Sequence, residues 1–401
     1  MSKYQRKVLV STSAGIALEN MDIMFLSFSL STIITTFGIT GTQAGFISTV
    51  TNLGMLVGGI IFGILADKYG RVKVFSQTVI IFSIASLLMF FASNIYLVYL
   101  FRFIAGIGAG GEYGACMSLI SETFSKKHLG RATSTAAIGA QVGAILAAIL
   151  ASLIIPLLGW KMLYVIGVIP VLLVLDIRRG LKEPESFAKN HNDKLAGKFS
   201  LLFADKQTAW QTIGLSLMVT VQIAGYFGLM NWLPSIMQKQ LHLSVSGSSL
   251  WMISTILGMC LGMMTFGTVM DKLGPRLAYG VFLICSAASV FLIVLAHDKW
   301  TLLGAAVIVG YFINGMYGGY GAIISSLYPT TIRATANNFI MNVGRAIGGF
   351  SSVIIGFLMD HYSLMTVIIF LSAIYLISLV VMLTLPGLKK MRPQSEVLTQ
   401  Q

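Results

Sequence analysis

Charged residues are scarce in this chain, at 10% of its 401 residues. Soluble domains carry about 25%, so the composition excludes an ordinary soluble protein. Cysteine is scarce too, and Cys116, Cys260 and Cys285 stand at unrelated spacings that form neither a disulfide framework nor a metal-binding pattern. None of the five histidines falls deep in an apolar run, which argues against a histidine proton relay. The sequence also lacks Gly-x-x-x-x-Gly-Lys-Ser/Thr, which excludes a P-loop nucleotide site.

What the chain has instead is apolar residues, which make up 56% of it and gather into long runs. Runs of roughly 18–25 residues are long enough to cross a bilayer as helices. Twelve such runs are predicted as membrane spans, at about 10–35, 43–66, 74–92, 96–122, 132–155, 161–178, 209–236, 247–270, 277–296, 300–327, 336–358 and 364–386.

The two halves of the chain resemble each other. Residues 63–71 recur loosely as residues 267–276, and Gly130-Arg131-Ala-Thr recurs as Ile332-Arg333-Ala-Thr. Two similar membrane halves can rock about a site at their interface and expose it to either side in turn, which indicates a transporter. We predict an all-α membrane protein of twelve transmembrane helices in two pseudo-symmetric six-helix bundles. The bundles are expected at 1–178 and 209–401, with a cytoplasmic linker at 179–208.

The net charge of +13 follows membrane topology rather than nucleic-acid binding. With the N-terminus inside, nearly all Lys and Arg fall in segments predicted to be inside, and only Lys161, Lys239 and Lys299 fall in outside loops. We therefore expect a multi-pass protein of the plasma (cytoplasmic) membrane with both termini cytoplasmic. Its expected partners are the lipid bilayer and a small-molecule substrate, without nucleic acid, and it is expected to be a monomer.

Five charged residues lie inside predicted spans, namely Glu19, Asp22, Arg102, Glu112 and Arg345. Insertion scales put each such charge at about 2.5–3.5 kcal/mol at mid-helix, so five unpaired charges would cost roughly 12–18 kcal/mol. They must therefore be paired, protonated or hydrated. An interior aqueous cavity with a function allows all three.

Glu19 and Asp22 stand three residues apart and share a helix face. Two carboxylates this close do not both ionise readily, so one of them can bind and release a proton. Our hypothesis is that Asp22 and Glu112 carry a coupling proton while Arg102 stabilises the charged form of Asp22. The alternative is a permanent ion pair between Asp22 and Arg102 that braces the first and fourth spans.

Arg345 shares a helix face with Asn338 and Asn342. Arginine can hold a carboxylate with two parallel hydrogen bonds, which suits an anionic substrate. The alternative is an arginine bound to backbone carbonyls for helix packing. Polar and amphipathic residues of other spans complete the predicted substrate site, and these are Gln141, Gln222, Tyr226, Asn231, Asn314 and Tyr317. For the tyrosines, the alternative is a place in the aromatic belt at the membrane interface.

Glycines recur in the fourth span at Gly106, Gly110 and Gly114. The four-residue spacing predicts close packing on a neighbouring helix, which we expect to be the fifth span with Gly139 and Gly143. The same stretch matches a dinucleotide-binding fingerprint by letter, but it lies in an apolar run with no strand before it, so helix packing is preferred.

Two stretches carry a resemblance to a known family. Residues 63–73 follow the pattern Gly-x-x-x-Asp-Lys-x-Gly-Arg-x-Lys, and residues 102–114 read Arg-Phe-Ile-Ala-Gly-Ile-Gly-Ala-Gly-Gly-Glu-Tyr-Gly. They resemble the major facilitator superfamily and, within it, the metabolite–proton symporters, a group that carries aromatic acids, sialate, nicotinate and other carboxylates. Two departures stand out. Pro275 replaces the arginine of the first-half motif, and Ser326 replaces the acid of a Glu-Leu-Tyr-Pro pattern.

The resemblance implies two cytoplasmic gates. Asp67 would sit at the N-terminus of the eleventh span, where the helix dipole favours an anion. The other members of the first gate would be Arg71, Glu122 and Arg131, and the members of the second gate would be Asp271, Arg276 and Arg333. Together these groups would hold the cytoplasmic side closed.

These observations predict a secondary active transporter that works by alternating access. The expected reaction is proton-coupled symport, in the direction of uptake, of a small organic anion such as a carboxylate. The alternative is a proton-coupled antiporter or exporter, or a facilitator, of a small organic cation or neutral solute, because three intramembrane acids face only two arginines. We expect the proton as coupling ion, no other cofactor, no metal and no enzymatic activity.

Overall fold

The fold is built from helices, and no strand occurs in the part of the chain that the computed structural model describes, residues 1–184, 187, 195–241 and 245–391. The helices of the first half are α1 (Lys3–Phe37), α2 (Gly41–Tyr69), α3 (Arg71–Leu88), α4 (Ile95–Thr123), α5 (Leu129–Leu158), α6 (Trp160–Val165) and α7 (Ile169–Gly180). Those that follow are α8 (Lys206–Leu241), α9 (Val245–Leu273), α10 (Pro275–Ser289), α11 (Leu292–Leu295), α12 (Lys299–Gly315), α13 (Tyr317–Leu327), α14 (Arg333–Gly348), α15 (Ser351–His361), α16 (Leu364–Thr384) and α17 (Pro386–Lys390).

Ten segments of these described residues are long and apolar enough to cross a membrane as helices. They correspond to ten of the twelve predicted runs. Of the other two, the run at 209–236 lies within the 36-residue helix α8. The run at 161–178 is divided into α6, a 3₁₀ turn at Ile166–Val168 and α7. Pro170 falls in the first turn of α7, where proline is tolerated.

Sequence signals set the helix boundaries. Ser2 and Thr40 each form a capping box with a glutamine three residues later, at the start of α1 and α2. The two motif glycines, Gly70 and Gly274, end α2 and α9 with φ of 113° and 86°. This left-handed region strains a residue with a side chain, so both glycines are required where the chain reverses. The repeat in the sequence is thus also a repeat in backbone geometry.

Glycines let helix backbones touch. A Cβ at Gly106 or Gly110 of α4 would overlap a backbone carbonyl oxygen of α2, and one at Gly54 or Gly58 of α2 would overlap a carbonyl oxygen of α4. Small residues permit this close approach within membranes. The prediction that the α4 glycines pack on the fifth span is therefore wrong. The glycines of α5 contact α1 instead, because a Cβ at Gly139 would overlap the Ser13 carbonyl oxygen.

The structure divides into two compact units. The first comprises residues 1–125, 135–202 and 324–342, and the second comprises 126–134, 203–323 and 343–401. Each unit thus takes one short segment from the opposite half of the chain. The division into bundles at 1–178 and 209–401 concerns chain order and stays a prediction, and part of the linker 179–208 lies outside the described residues.

Each unit has its own aromatic core. In the first, Phe25 and Trp160 both meet the Tyr164 ring edge to face, with centroids 6.1 and 6.0 Å away. In the second, Phe266 packs edge to face on Phe282 at 4.8 Å. Since lipid is as apolar as these side chains, such contacts act through packing geometry more than through exclusion of water.

Candidate functional site

A buried ion pair joins α1 and α4 in the first unit. Arg102 Nη1 lies 2.9 Å from Asp22 Oδ2, and the two residues are 0% and 5% exposed. The Ser86 hydroxyl of α3 donates to Asp22 Oδ1, and Arg102 Nε donates to Thr51 Oγ1 of α2 at 3.4 Å. Four helices therefore supply the partners that keep two charges inside the membrane region, where an unpaired charge would cost several kcal/mol.

The other two predicted acids are also buried and lie along the same helices. Glu112 of α4 is fully buried, and its carboxyl group occupies the space beside Gly15 of α1. Arg102 and Glu112 are ten residues apart, which is about 15 Å along a helix. Antiparallel packing of α1 on α4 thus sets Asp22 opposite Arg102 and Gly15 opposite Glu112. Glu19, also buried, stands on α1 between these two levels.

A second charged group, which we call the first cap cluster, consists of Asp67, Arg71, Glu122, Arg333 and Thr335. Asp67 is 2% exposed and accepts hydrogen bonds from the amides of Ala334 and Thr335 at 3.1 and 2.8 Å, and from the Thr335 hydroxyl at 2.8 Å. These amides belong to the first turn of α14. An anion at a helix N-terminus is favoured by the free amides and by the helix dipole. Asp67 therefore lies where the resemblance placed it.

The arginines of the first cap cluster differ from the expected set. Arg71 Nη2 lies 3.2 Å from Asp67 and 3.1 Å from Glu122, and it also donates to the Thr330 carbonyl oxygen at 2.6 Å. The second arginine at Glu122 is Arg333, at 3.4 Å, rather than Arg131. Arg333 was expected in the second gate. The two arginines of the repeated Arg-Ala-Thr motif have thus exchanged places relative to the prediction.

Arg131 belongs to a second cap cluster, formed by Asp271, Gly130 and Arg131 within the second unit. Asp271 accepts from the amides of Gly130 and Arg131 at 2.8 and 3.1 Å, in the first turn of α5. The Arg131 side chain is 47% exposed and its Nε is 3.9 Å from Asp271. Arg276 donates to the Leu383 carbonyl oxygen at 3.1 Å instead. In both clusters, the motif aspartate of one sequence half caps a helix of the other half.

The predicted substrate residues of α14 fall in two places. In the first unit, Asn338 Nδ2 donates to the Gly111 carbonyl oxygen at 3.1 Å, and Asn342 Nδ2 donates to the Gly110 carbonyl oxygen at 2.8 Å. These amides link α14 to α4. In the second unit, Arg345 is half-buried and its Nη2 donates to the Tyr317 hydroxyl at 3.3 Å. This contact joins α14 to α13.

The remaining predicted substrate residues lie on three helices, α5, α8 and α12. Gln222 of α8 and Asn314 of α12 are both buried, and Gln222 Nε2 donates to Asn314 Oδ1 at 3.2 Å and to the Ile313 carbonyl oxygen at 2.6 Å. Tyr226 is half-buried beside Phe227, and Gln141 of α5 is buried. The side chain of Asn231 lies outside the described residues.

Sequence reasoning missed three side chains. Ser86 and Thr335 donate to predicted acids, but a hydroxyl in an apolar run carries no signal of its partner. Glu183 accepts from the amides of Arg71 and Lys73 at 2.8 and 3.0 Å, and so caps α3 beside the first cap cluster. The acidic Glu-Pro-Glu sequence at 183–185 was a usable signal for this contact.

Comparisons with known proteins agree with the helical architecture. The sequence profile of the Major Facilitator Superfamily matches residues 12–258 and 215–400. A Haemophilus influenzae protein named for metabolite transport is 37% identical over 97% of this chain and 98% of its own. The sialic acid transporter NanX of Escherichia coli is 30% identical over 96% and 95%. The cis,cis-muconate transport protein of Acinetobacter baylyi is 30% identical over 90% of each chain.

Solved structures give the same result for the fold. The proton:xylose symporter XylE superposes with a TM-score of 0.82 over 99% of both chains, at 16% identity. The Escherichia coli fucose:proton symporter FucP superposes with a TM-score of 0.73 over 95% of this chain and 98% of its own, also at 16% identity. These matches define a multi-pass membrane transporter and not an enzyme. The chain belongs to the Major Facilitator Superfamily, and both the family and the all-α fold predicted from its motifs are confirmed.

Proposed function

We propose that this transporter couples the uptake of a small organic anion, such as a carboxylate, to the inward movement of protons. The observation that carries the proposal is the buried contact between Asp22 and Arg102. Burying a charged carboxylate in the membrane region costs free energy. A nearby arginine favours the charged form, and the protonated form becomes favoured when the arginine moves away. Asp22 is therefore the proposed proton carrier, together with Glu112 and with Glu19 beside them.

The anionic substrate is supported by Arg345. Its guanidinium is half-buried on α14 and donates a hydrogen bond to the Tyr317 hydroxyl. Guanidinium groups recognise carboxylates through paired, charge-assisted hydrogen bonds. The relatives named for muconate and sialic acid carry substrates that contain carboxylates. We propose that Arg345 binds the substrate carboxylate and that Tyr317, Gln222, Tyr226, Asn231 and Asn314 of the second unit complete the binding region. For Gln141, Asn338 and Asn342 of the first unit, substrate contact stays a prediction from the sequence.

The two cap clusters are proposed to stabilise one end state of the transport cycle. Each contains a buried or nearly buried aspartate that holds the first turn of a helix from the opposite sequence half. Opening would break these contacts, and closing would restore them. Because the surrounding segments are rich in Lys and Arg, we propose that both clusters face the cytoplasm and that the chain resides in the plasma membrane.

The acids of α1 and α4 also support a second candidate, proton-coupled exchange of a small organic cation. Glu19 and Glu112 are buried carboxyl groups on helices that also carry the ion pair. A cation could displace a proton from such a group, which would give antiport rather than symport. In that case Arg345 would have a structural role.

External pH in a weakly buffered suspension of de-energised liposomes separates the two candidates. A panel of carboxylates is added first and a panel of organic cations second. Alkalinisation of the medium with a carboxylate supports anion–proton symport, whereas acidification with a cation supports antiport. Liposomes that carry Asp22→Asn protein serve as the control for symport, and they should show no alkalinisation.

A further inference from the structure

Ser86 uses its hydroxyl differently from its neighbours on α3. Ser76, Thr78 and Ser83 donate to backbone carbonyl oxygens of their own helix, at 2.7–2.8 Å. Such local bonds are the ordinary way in which a hydroxyl is satisfied inside a membrane helix. The Ser86 hydroxyl instead donates to Asp22 Oδ1 on α1. A serine hydroxyl has one hydrogen, so this bond directs it to the carboxylate.

The position of Ser86 is fixed by its surroundings. The residue is fully buried, and the 3₁₀ turn at Ile166–Val168 covers it, with a Cβ at Gly167 falling 2.8 Å from the Ser86 Cβ. Arg102 contacts Oδ2 of Asp22 while Ser86 contacts Oδ1. The two donors thus occupy different oxygens of one carboxylate, and neither replaces the other.

Among the described residues, titratable side chains of two neighbouring helices, α4 and α6, interact with Asp22. Arg102 comes from α4, and Tyr164 comes from α6, where its hydroxyl lies 3.2 Å from the Ser29 hydroxyl. The side chains supplied by α2 and α3 to this group are the uncharged hydroxyls of Thr51 and Ser86. Asp176, on α7, is exposed. Glu19 is an acid on α1, the helix that also carries Asp22.

We propose that Ser86 is a positioning residue that sets the pH range in which Asp22 exchanges its proton. The inference rests on the proposed function, in which Asp22 takes the coupling proton. Donation by Ser86 stabilises the deprotonated carboxylate, because hydrogen bonds to a charged acceptor are about twice as strong as those to a neutral one. When a hydronium ion transfers its proton to Asp22, it leaves as water, and the Ser86 hydroxyl can turn to accept a hydrogen bond from the new carboxyl O–H, since serine both donates and accepts. No other covalent bond forms or breaks.

The test is an infrared pH titration of the purified full-length protein, following the carbonyl stretch of its protonated carboxyl groups. The band lost in Asp22→Asn assigns Asp22. In Ser86→Ala, the midpoint of that band should move to higher pH by about one unit, a tenfold change in proton affinity. Ser83→Ala is the matched control, because Ser83 is equally buried on α3 but donates to the Val79 carbonyl oxygen, and its midpoint should not move.

Ser86→Cys is the second variant, for use if Ser86→Ala fails to fold. Cysteine has nearly the shape of serine, but its S–H group is only a weak hydrogen-bond donor. Ser86→Cys should move the midpoint in the same direction by a smaller amount. A midpoint unchanged in the folded Ser86 variant, or moved equally by Ser83→Ala, overturns the inference and leaves the proposed function intact. Uphill substrate accumulation by Asp22→Asn overturns the proposed function itself. The two failures are therefore read from different measurements.

Discussion

Arg345 is the residue that separates an anion carrier from a cation carrier. Replacing it by lysine keeps the charge but removes the planar pair of donors that a carboxylate binds. We expect Arg345→Lys to raise the KM for a carboxylate substrate by about 10- to 100-fold, because one lost charge-assisted hydrogen bond is worth about 1.5–3 kcal/mol. Initial uptake rates over a range of substrate concentrations measure this change.

Arg276→Lys is the control for Arg345→Lys. Arg276 is also a C-terminal-half arginine, but it donates to the Leu383 carbonyl oxygen, so its replacement should leave KM within about twofold. An unchanged KM in Arg345→Lys would assign Arg345 to helix packing and would remove the main support for an anionic substrate.

The residues that could be predicted from the sequence are those whose charge is costly in a membrane. Asp22, Arg102 and Glu112 stand out in apolar runs for that reason alone. Ser86 could not be predicted, because a buried hydroxyl can always bond to its own helix and leaves no pattern in the sequence. Nor could the exchange of Arg131 and Arg333 be predicted. Both belong to the same repeated motif, and only the three-dimensional packing decides which one meets Glu122.

At the scale of the helices, the contact between α2 and α4 can be tested by its effect on the free energy of unfolding. A Cβ at Gly58 would overlap the backbone of Ile107, which cannot move aside as a flexible side chain can. We expect Gly58→Ala to lower the stability by about 1–3 kcal/mol through overpacking. The thermal unfolding midpoint of the purified protein should fall accordingly.

Gly45→Ala on the same helix is the matched control for Gly58→Ala. Nothing lies within 4 Å of a Cβ built at Gly45, so this variant should unfold at the wild-type temperature or slightly above it. Equal unfolding temperatures for the two variants would contradict backbone contact between α2 and α4.

Helix packing marks the limit of what spacing can predict. The four-residue repeat of glycines in α4 does indicate that some helix approaches closely. It contains no information about which helix, because every span in such a chain is apolar and several carry glycine. The partner is α2 because this helix has glycines of its own, Gly54 and Gly58, on the face that contacts Gly106 and Gly110.

The first cap cluster is expected to control the rate of the transport cycle. Asp67→Asn removes the charge that holds the first turn of α14, and Arg71 then loses one of its two buried carboxylate partners. We expect the maximal rate of counterflow exchange to fall by about 10-fold or more, since charge-assisted bonds contribute about 1.5–3 kcal/mol each. Substrate affinity should change less than about twofold, and both quantities come from one concentration series.

Asp271→Asn is the comparison for Asp67→Asn. Its arginine is half exposed and 3.9 Å away, and such pairs contribute about 0–1 kcal/mol, so its effect on the rate should be smaller. A normal exchange rate in Asp67→Asn would exclude the first cap cluster from the transport cycle.

At the scale of the whole molecule, the proposed coupling fixes how far a substrate can be accumulated. A monovalent carboxylate and one proton that enter together carry no net charge, so only the pH gradient drives uptake. One pH unit is worth about 1.4 kcal/mol, which predicts about tenfold accumulation for each unit of external acidity. Proteoliposomes with an imposed pH gradient should reach this ratio, and Asp22→Asn and Glu112→Gln should reach none while they still exchange substrate.

An electrical potential then reports the number of protons. A second proton would make the reaction electrogenic and would add about 2.3 kcal/mol for each 100 mV of inside-negative potential. With one proton, valinomycin and a potassium gradient should leave the accumulation ratio unchanged. Accumulation that survives collapse of the pH gradient by nigericin would contradict proton coupling. In that event the Asp22–Arg102 contact would be a permanent brace between α1 and α4, and the gradient of an ion other than the proton would have to supply the energy.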